Sequence, residues 1–154
     1  MATLEEIRQN LDKDELNYPQ LVQKYGESAL PHLKTLVAED EPRIAPKAAY
    51  LAGLIAGQAS QEVVSIAAQS RHDVTRVAAA AATAMLPMGD GVNIASQLLD
   101  DADVGVRVMA AKSAAKIGDA ALVARLRVMA NQDRESHVRA LADEVANTLD
   151  SNAP

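Results

Sequence analysis

The sequence predicts an all-α protein, a right-handed α-solenoid of about four helix pairs with a cap at each end. One helical segment recurs along the chain, and its equivalent positions are Pro46, Arg76, Arg107 and Arg139, at intervals of 30, 31 and 32 residues. A fixed period in this range is typical of stacked helical repeats. The chain is also rich in alanine, which lets helices pack closely. It contains no run of β-branched and aromatic residues that would indicate a strand.

Apolar spacing and helix-breaking residues set the predicted helix bounds. Each repeat is predicted to contain an A helix followed by a B helix. Gly57 is expected to end the first clear A helix in a left-handed conformation, and Asp119 is expected to cap the last B helix. The second A helix is expected to be one or two residues longer than its siblings. The predicted A helices span 43–56, 74–86, 104–117 and 135–149, and the B helices span 60–69, 91–99 and 119–130.

The whole chain, residues 1–154, is predicted to be a single domain, because a chain of this length buries enough surface to fold unaided. Residues 3–26 are expected to form a degenerate N-terminal cap, residues 27–133 the repeats, and residues 134–150 a C-terminal capping helix. Terminal units are expected to deviate from the pattern because one of their faces meets water. Residues 151–154 are expected to form a frayed tail.

Composition argues against several classes of function. The formal net charge is −6, whereas nucleic-acid-binding proteins usually present a basic stripe, and single-strand binders add stacking aromatics. The chain has no Phe, no Trp and no Cys, so disulfides and thiolate chemistry are excluded. Its longest uncharged stretches, 48–61 and 77–89, are shorter than the about 20 residues of a membrane span. With an acidic rather than signal-like N-terminus, we expect a cytoplasmic protein that binds neither nucleic acid nor membrane.

No group of residues in the sequence predicts a catalytic, cofactor or metal site. The acidic cluster of Asp90, Asp100, Asp101 and Asp103 lacks the distal glutamate of a calcium loop. Asp ahead of a helix more often caps it. The three histidines belong to different units and form no pair that would place two ligands on one helical face. We therefore expect no enzyme, no cofactor and no metal.

The third repeat carries a motif that resembles a known family. Asp101, Arg107 and Ile117-Gly118, with the apolar residues between them, resemble the HEAT repeat in its short prokaryotic variety, which also occurs in lyases of the phycobilisome type. The resemblance extends over roughly residues 27–149. In that family, an Asp in the loop and an Arg six residues later on helix A form a hydrogen-bonded ladder between units.

The resemblance implies such a ladder in this chain. Asp101 and Arg107 keep the six-residue pair, as do Asp133 and Arg139. In the two earlier repeats Arg76 follows Ser70, and Asp40 is followed by Pro46, so the ladder is expected to weaken toward the N-terminus. The alternative interpretation is a row of arginines that binds anions.

The outward positions of the B helices form the predicted binding surface. In HEAT-like solenoids these helices line the concave face, and a mixed polar row there is typical of a protein-binding groove and equally of any solvated face. We expect a monomer or weak homodimer that binds another protein on this face as an adaptor, scaffold or regulator. The residues of this predicted row are His32, Lys34, Gln61, Glu62, Asn93, Gln97, Arg125 and Arg127.

The resemblance also implies two other functions. Phycobilin lyases and their relatives use similar repeats to handle a tetrapyrrole and attach it to a protein, so a lyase-like or other small-molecule-handling protein is the alternative hypothesis. The absence of Cys and the scarcity of aromatic residues favour the interaction module instead. A nucleic-acid-handling HEAT protein would need a basic face, which the net charge disfavours.

Overall fold

A computed structural model describes residues 1–152, and it confirms the all-α fold. No strand occurs in this part of the chain, and none of its helices is long and apolar enough to cross a membrane. Two residues of the predicted tail, 153 and 154, lie outside the described residues. The α-helices are α1 (Leu4–Leu11), α2 (Tyr18–Tyr25), α3 (Leu30–Glu39), α4 (Ala45–Ile55), α5 (Ser60–Ala67), α6 (Asp73–Thr83), α7 (Val92–Leu98), α8 (Val104–Ile117), α9 (Val123–Gln132) and α10 (Ser136–Ser151), with 3₁₀ turns at Gly26–Ala29 and Ala120–Leu122.

The helices form two rows, as expected of a helical-repeat protein. In the A row, α2, α4, α6, α8 and α10 each pack on the next. In the B row, α3, α5, α7 and α9 each pack on the A helix that follows them. Since α2 packs on α4, it acts as the A helix of a first unit. Each helix therefore buries its apolar side against neighbours only, which is the stabilising principle of a solenoid.

Small side chains bring the central A helices close together. Ala79, Ala80 and Ala82 of α6 are fully buried between α4 and α8. Gly53 of α4 lies so near to Ala82 that a Cβ atom on the glycine would be 2.8 Å from the alanine Cβ. On the other side, Ser113 Oγ of α8 donates to the Ala80 carbonyl at 2.7 Å. The alanine-rich composition thus serves close packing of helix axes.

The α6–α7 connection differs from the prediction. Helix α6 ends at Thr83 and, with 11 residues, is shorter than α8 and α10. The chain turns because Leu86 is buried in the connection and Gly91 lies directly against the Thr83 carbonyl, where no Cβ would fit. Helix α7 is then only seven residues long, and it makes only marginal contact with α5 and α9. The B row is consequently open around α7.

Two predicted helix ends also need correction. The left-handed residue after α4 is Ala56 (φ 52°), and not Gly57. Gly57 is instead closely approached by the Glu27 side chain, and its N–H donates to Ser60 Oγ at 3.0 Å. Asp119 does act as a cap, but its carboxylate accepts from Ala121 N–H at the start of a 3₁₀ turn. Helix α9 therefore begins at Val123, later than predicted.

Candidate functional site

A ladder of hydrogen bonds runs along the loops that precede the A helices. Arg76 Nη1 donates to the Ser70 carbonyl at 2.9 Å, while its Nε and Nη2 donate to the Asp101 carboxylate at 2.9 and 3.1 Å. Arg107 repeats this arrangement, with Nη1 on the Asp101 carbonyl and with Nε and Nη2 on the Asp133 carboxylate. Each arginine thus binds the backbone of the loop in its own unit and the carboxylate of the next unit.

Hydrogen bonding keeps the Arg107–Asp133 step of the ladder charged in spite of its burial. Burial raises the pKa of Asp133, but hydrogen bonds from Arg107 and from the Glu135 N–H outweigh it and hold the pKa below its ordinary value. The hydrogen bond to Asp133 raises the pKa of Arg107. Because the donor forks of Arg76 and Arg107 already hold carboxylates, the geometry leaves neither fork for an external anion.

The N-terminal units are joined by other contacts. The Ser70 hydroxyl donates to the Asp40 carboxylate, which continues the ladder by one step. Beyond it, Lys47 Nζ donates to the backbone carbonyls of Leu11 and Lys13, at 2.9 and 3.0 Å. The arginine–carboxylate step therefore gives way to hydroxyl and lysine contacts where the sequence motif decays.

A surface groove lies beside the ladder, where the C-terminal ends of α5 and α7 meet α9. It consists of two depressions of about 380 and 280 Å³ that share Asp100, Asp101 and Arg125, and we call it the α7 groove. Its open shape follows from the marginal contacts of α7 within the B row. Arg125 forms an ion pair with Asp100 at 3.0 Å, and both side chains are exposed.

The α7 groove combines apolar and charged walls. Leu98 and Leu99 lie on the α7 side, and Val128 and Met129 lie on the α9 side. Leu98, Leu99 and Met129 are buried, whereas Val128 is 47% exposed, so Val128 is the main apolar side chain that a ligand could contact. Arg134 adds a second exposed cation at one end. Such a surface is suited to an amphipathic molecule that carries acidic groups.

The structure divides the predicted B-helix row. Gln97 and Arg125 line the α7 groove together, whereas Arg127 turns away to contact Asp143, Asn147 and Asp150 on α10. The other members lie outside the groove: Lys34 forms an ion pair with Glu62 at 2.7 Å, Gln61 donates to the Asp90 carbonyl, Asn93 is exposed, and His32 is half-buried.

The prediction from helix phase missed three groove residues. Asp100 and Arg134 lie just beyond the ends of α7 and α9, and Val128 lies within α9. Their place in the groove depends on the position of the neighbouring unit. The acidic run that begins at Asp100 was the available signal in the sequence. Among residues 1–152, no group of three His, Asp or Glu side chains is placed to hold a metal ion.

Sequence and structure comparisons identify the family. The pattern of HEAT repeats matches residues 60–146, more than half of the chain. The chain belongs to the HEAT-repeat family. No curated protein matches the sequence of this HEAT-repeat protein. Among solved structures it is similar to the complex of CpcE and CpcF of phycocyanin lyase from Nostoc sp. PCC7120, with a TM-score of 0.69 and 22% identity over 83% of this chain and 85% of that chain.

This similarity corrects one prediction. From the lack of a catalytic constellation we expected that the protein is not an enzyme, and that prediction is wrong. A solved structure with the same fold over most of its length belongs to a phycocyanin lyase. A chain with this fold can therefore be part of a lyase. At 22% identity, the likeness itself concerns the fold.

Proposed function

We propose that this HEAT-repeat protein is a subunit of a lyase-type assembly. It pairs with a second protein chain and binds a linear tetrapyrrole, the substrate, while that molecule is attached to or removed from an acceptor protein. The observation that carries the proposal is the similarity to the CpcE and CpcF complex of phycocyanin lyase, which covers 83% of this chain and 85% of that chain. The match thus involves nearly the whole solenoid, beyond a single pair of repeats.

The α7 groove supports this proposal chemically. A linear tetrapyrrole has apolar rings and acidic propionate groups, and the groove offers apolar side chains beside Arg125 and Arg134. Of the two depressions, the one of about 380 Å³ is at the lower end of the range of about 300–1,000 Å³ for small-molecule sites, and the one of about 280 Å³ is slightly below it. Because they are open, one side of the substrate would stay accessible to another protein. That accessibility is what a transfer reaction needs.

The composition assigns the remaining parts of the reaction to other proteins. The chain contains no Cys, so a thiol that forms a bond with the tetrapyrrole would belong to another protein. The role of this chain is then to bind and orient the substrate. Arg125 would exchange its exposed partner Asp100 for a propionate, since both bonds are charge-assisted.

The proposal is tested by adding biliverdin to the purified protein and recording visible absorbance and circular dichroism. A bound bilin is expected to show a shifted red band and an induced dichroism signal. Arg125→Glu is expected to weaken binding by about tenfold or more, because it places a carboxylate opposite the propionate. The matched control is Lys34→Glu, an exposed charge reversal on the B row outside the groove, which should bind like wild type. Unchanged spectra for the wild-type protein would refute the proposal.

A further inference from the structure

The last arginine of the ladder has an unused donor edge. Arg139 Nη1 donates to the Asp133 carbonyl at 2.6 Å, as the equivalent arginines do in their own units. In those arginines, Nε and Nη2 hold a carboxylate of the next unit. Within residues 1–152, no carboxylate accepts from Nε or Nη2 of Arg139. The helical rise places Ser151 about 18 Å along α10 from Arg139, so the end of α10 is remote from this edge.

The other end of the solenoid offers the matching carboxylate. In three units the ladder residue lies two positions before the N-cap of the A helix, as Asp101 does before Asp103. Helix α2 is the A helix of the first unit, and its N-cap is Asn17. The residue two positions earlier is Glu15, which is exposed and has no ion pair within the described part of the chain.

We propose that two copies of this chain associate head to tail and so continue the ladder. Helix α10 of one copy packs on α2 of the second copy, and Arg139 donates through Nε and Nη2 to Glu15 of that copy. The guanidinium fork suits a carboxylate in this bidentate geometry. This inference does not depend on the proposed tetrapyrrole function.

The charges of the two end faces are complementary. On the exposed side of α10, Glu144 forms no ion pair within the described part of the chain, whereas Asp143 already pairs with Arg127 of α9. Helix α2 contains no acidic residue, and Lys24 lies on its exposed side. When the two faces meet, the acidic side of α10 therefore lies opposite the basic side of α2, and this attraction adds to the Arg139–Glu15 contact.

The proposed contact is weak and sensitive to salt. The exposed positions of α10 are almost entirely polar, as expected of a terminal repeat, so little apolar area is buried. Exposed ion pairs are screened by salt. The contact joins two different surfaces, so a dimer keeps one free surface of each kind at its ends. Further copies can add there, and short chains form at high concentration.

The test measures self-association of the full chain by sedimentation equilibrium and by ¹H–¹⁵N NMR in a dilution series up to millimolar concentration. At low salt we expect concentration-dependent association, with amide shifts confined to α10, to α2 and to the loop around Glu15. Half-molar salt should abolish both effects.

Charge-swap variants identify the contact. Arg139→Glu and Glu15→Arg should each associate at least about tenfold more weakly than wild type, and an equimolar mixture of the two should recover association because the opposite charges meet again. Arg134→Glu reverses a nearby exposed arginine outside the ladder and is the matched control. If Arg139→Glu fails to fold, Glu15→Arg tests the same contact from an exposed loop.

Three outcomes would overturn the head-to-tail contact. The first is a wild-type chain that stays monomeric at millimolar concentration and low salt. The second is an equal loss of association in Arg134→Glu and Arg139→Glu, which would indicate a general charge effect. The third is a mixture of the swapped variants that associates no better than either variant alone.

Discussion

The guanidinium of Arg107 donates two hydrogen bonds to the carboxylate of Asp133, at 2.7 Å from Nε to Oδ2 and 3.1 Å from Nη2 to Oδ1. The two residues belong to successive units, and their side chains are only 8% and 4% exposed. The pair therefore joins two loops in a place where a charge without a partner is costly.

Removing Asp133 should reveal the free-energy cost of leaving the buried Arg107 charge without its partner. Asp133→Ala is expected to lower the free energy of unfolding by about 3–5 kcal/mol, because it leaves the Arg107 charge buried and unpaired. Urea denaturation followed by far-UV circular dichroism measures the change. Glu39→Ala removes the partner of Arg8 from an exposed pair and should hardly change the midpoint. Equal effects of the two substitutions would argue against a special role for the ladder.

Acid should weaken the same contact. Because the pKa of Asp133 is lower in the folded protein than its ordinary value of 3.8, folding favours the ionised carboxylate. That contribution to stability is present above the ordinary pKa and is lost as the pH falls through the lower folded-state pKa. We expect the free energy of unfolding to fall below about pH 4 in the wild type and to fall less steeply in Asp133→Asn. Parallel pH profiles for the two proteins would contradict this account.

The close approach of α4 and α6 predicts an unusual effect of alanine in a helix. Gly53→Ala should gain up to about 1 kcal/mol of helix propensity, but its Cβ would lie 2.8 Å from that of Ala82. Overpacking of a rigid contact costs about 1–3 kcal/mol, so we expect a net loss of stability in thermal and urea unfolding. Adding Ala82→Gly removes the clashing methyl group, and the double variant should recover part of the loss. A stabilised Gly53→Ala protein would show that the two helices separate easily.

Removing either of two buried hydroxyls should change the stability of the protein, but in opposite directions. Thr75 Oγ1 is buried without a hydrogen-bond partner in the described part of the chain, and the equivalent residues of the next two repeats are Val106 and Val138. Thr75→Val should therefore stabilise the protein by about 1 kcal/mol. Ser113 Oγ donates to the Ala80 carbonyl, so Ser113→Ala should destabilise it by about 1 kcal/mol. Calorimetric melting of both variants checks the contrast, and a destabilised Thr75→Val would point to an unseen partner for that hydroxyl.

Helix bounds were predictable wherever local signals mark both ends. Helix α8 spans Val104–Ile117 as predicted, because the Asp103 carboxylate caps its start and Gly118, with φ 71°, ends it. The prediction failed for α6, whose apolar run continues past Thr83 without a local stop signal. What ends that helix is a tertiary contact, the approach of Gly91 to the Thr83 carbonyl.

The site was less predictable than the fold. Helix phase placed Arg125 and Arg127 on one row, but the contact made by each side chain depends on a different neighbour. Arg127 meets α10, and Arg125 meets Asp100 at the edge of the α7 groove. The groove itself depends on how far α7 stands from α5 and α9, a distance that no single segment encodes.

The sequence by itself determined the period, the alternation of A and B helices and the positions of the ladder residues, because each is a pattern along one chain. Only the tertiary structure decided which groups each ladder arginine binds. The motif places Asp101 six residues before Arg107, yet the Arg107 fork holds Asp133, and Asp101 offers it only a backbone carbonyl. The physical reason is the stacking, which brings the loop of the next unit to the free edge of each guanidinium, while the loop of its own unit presents backbone.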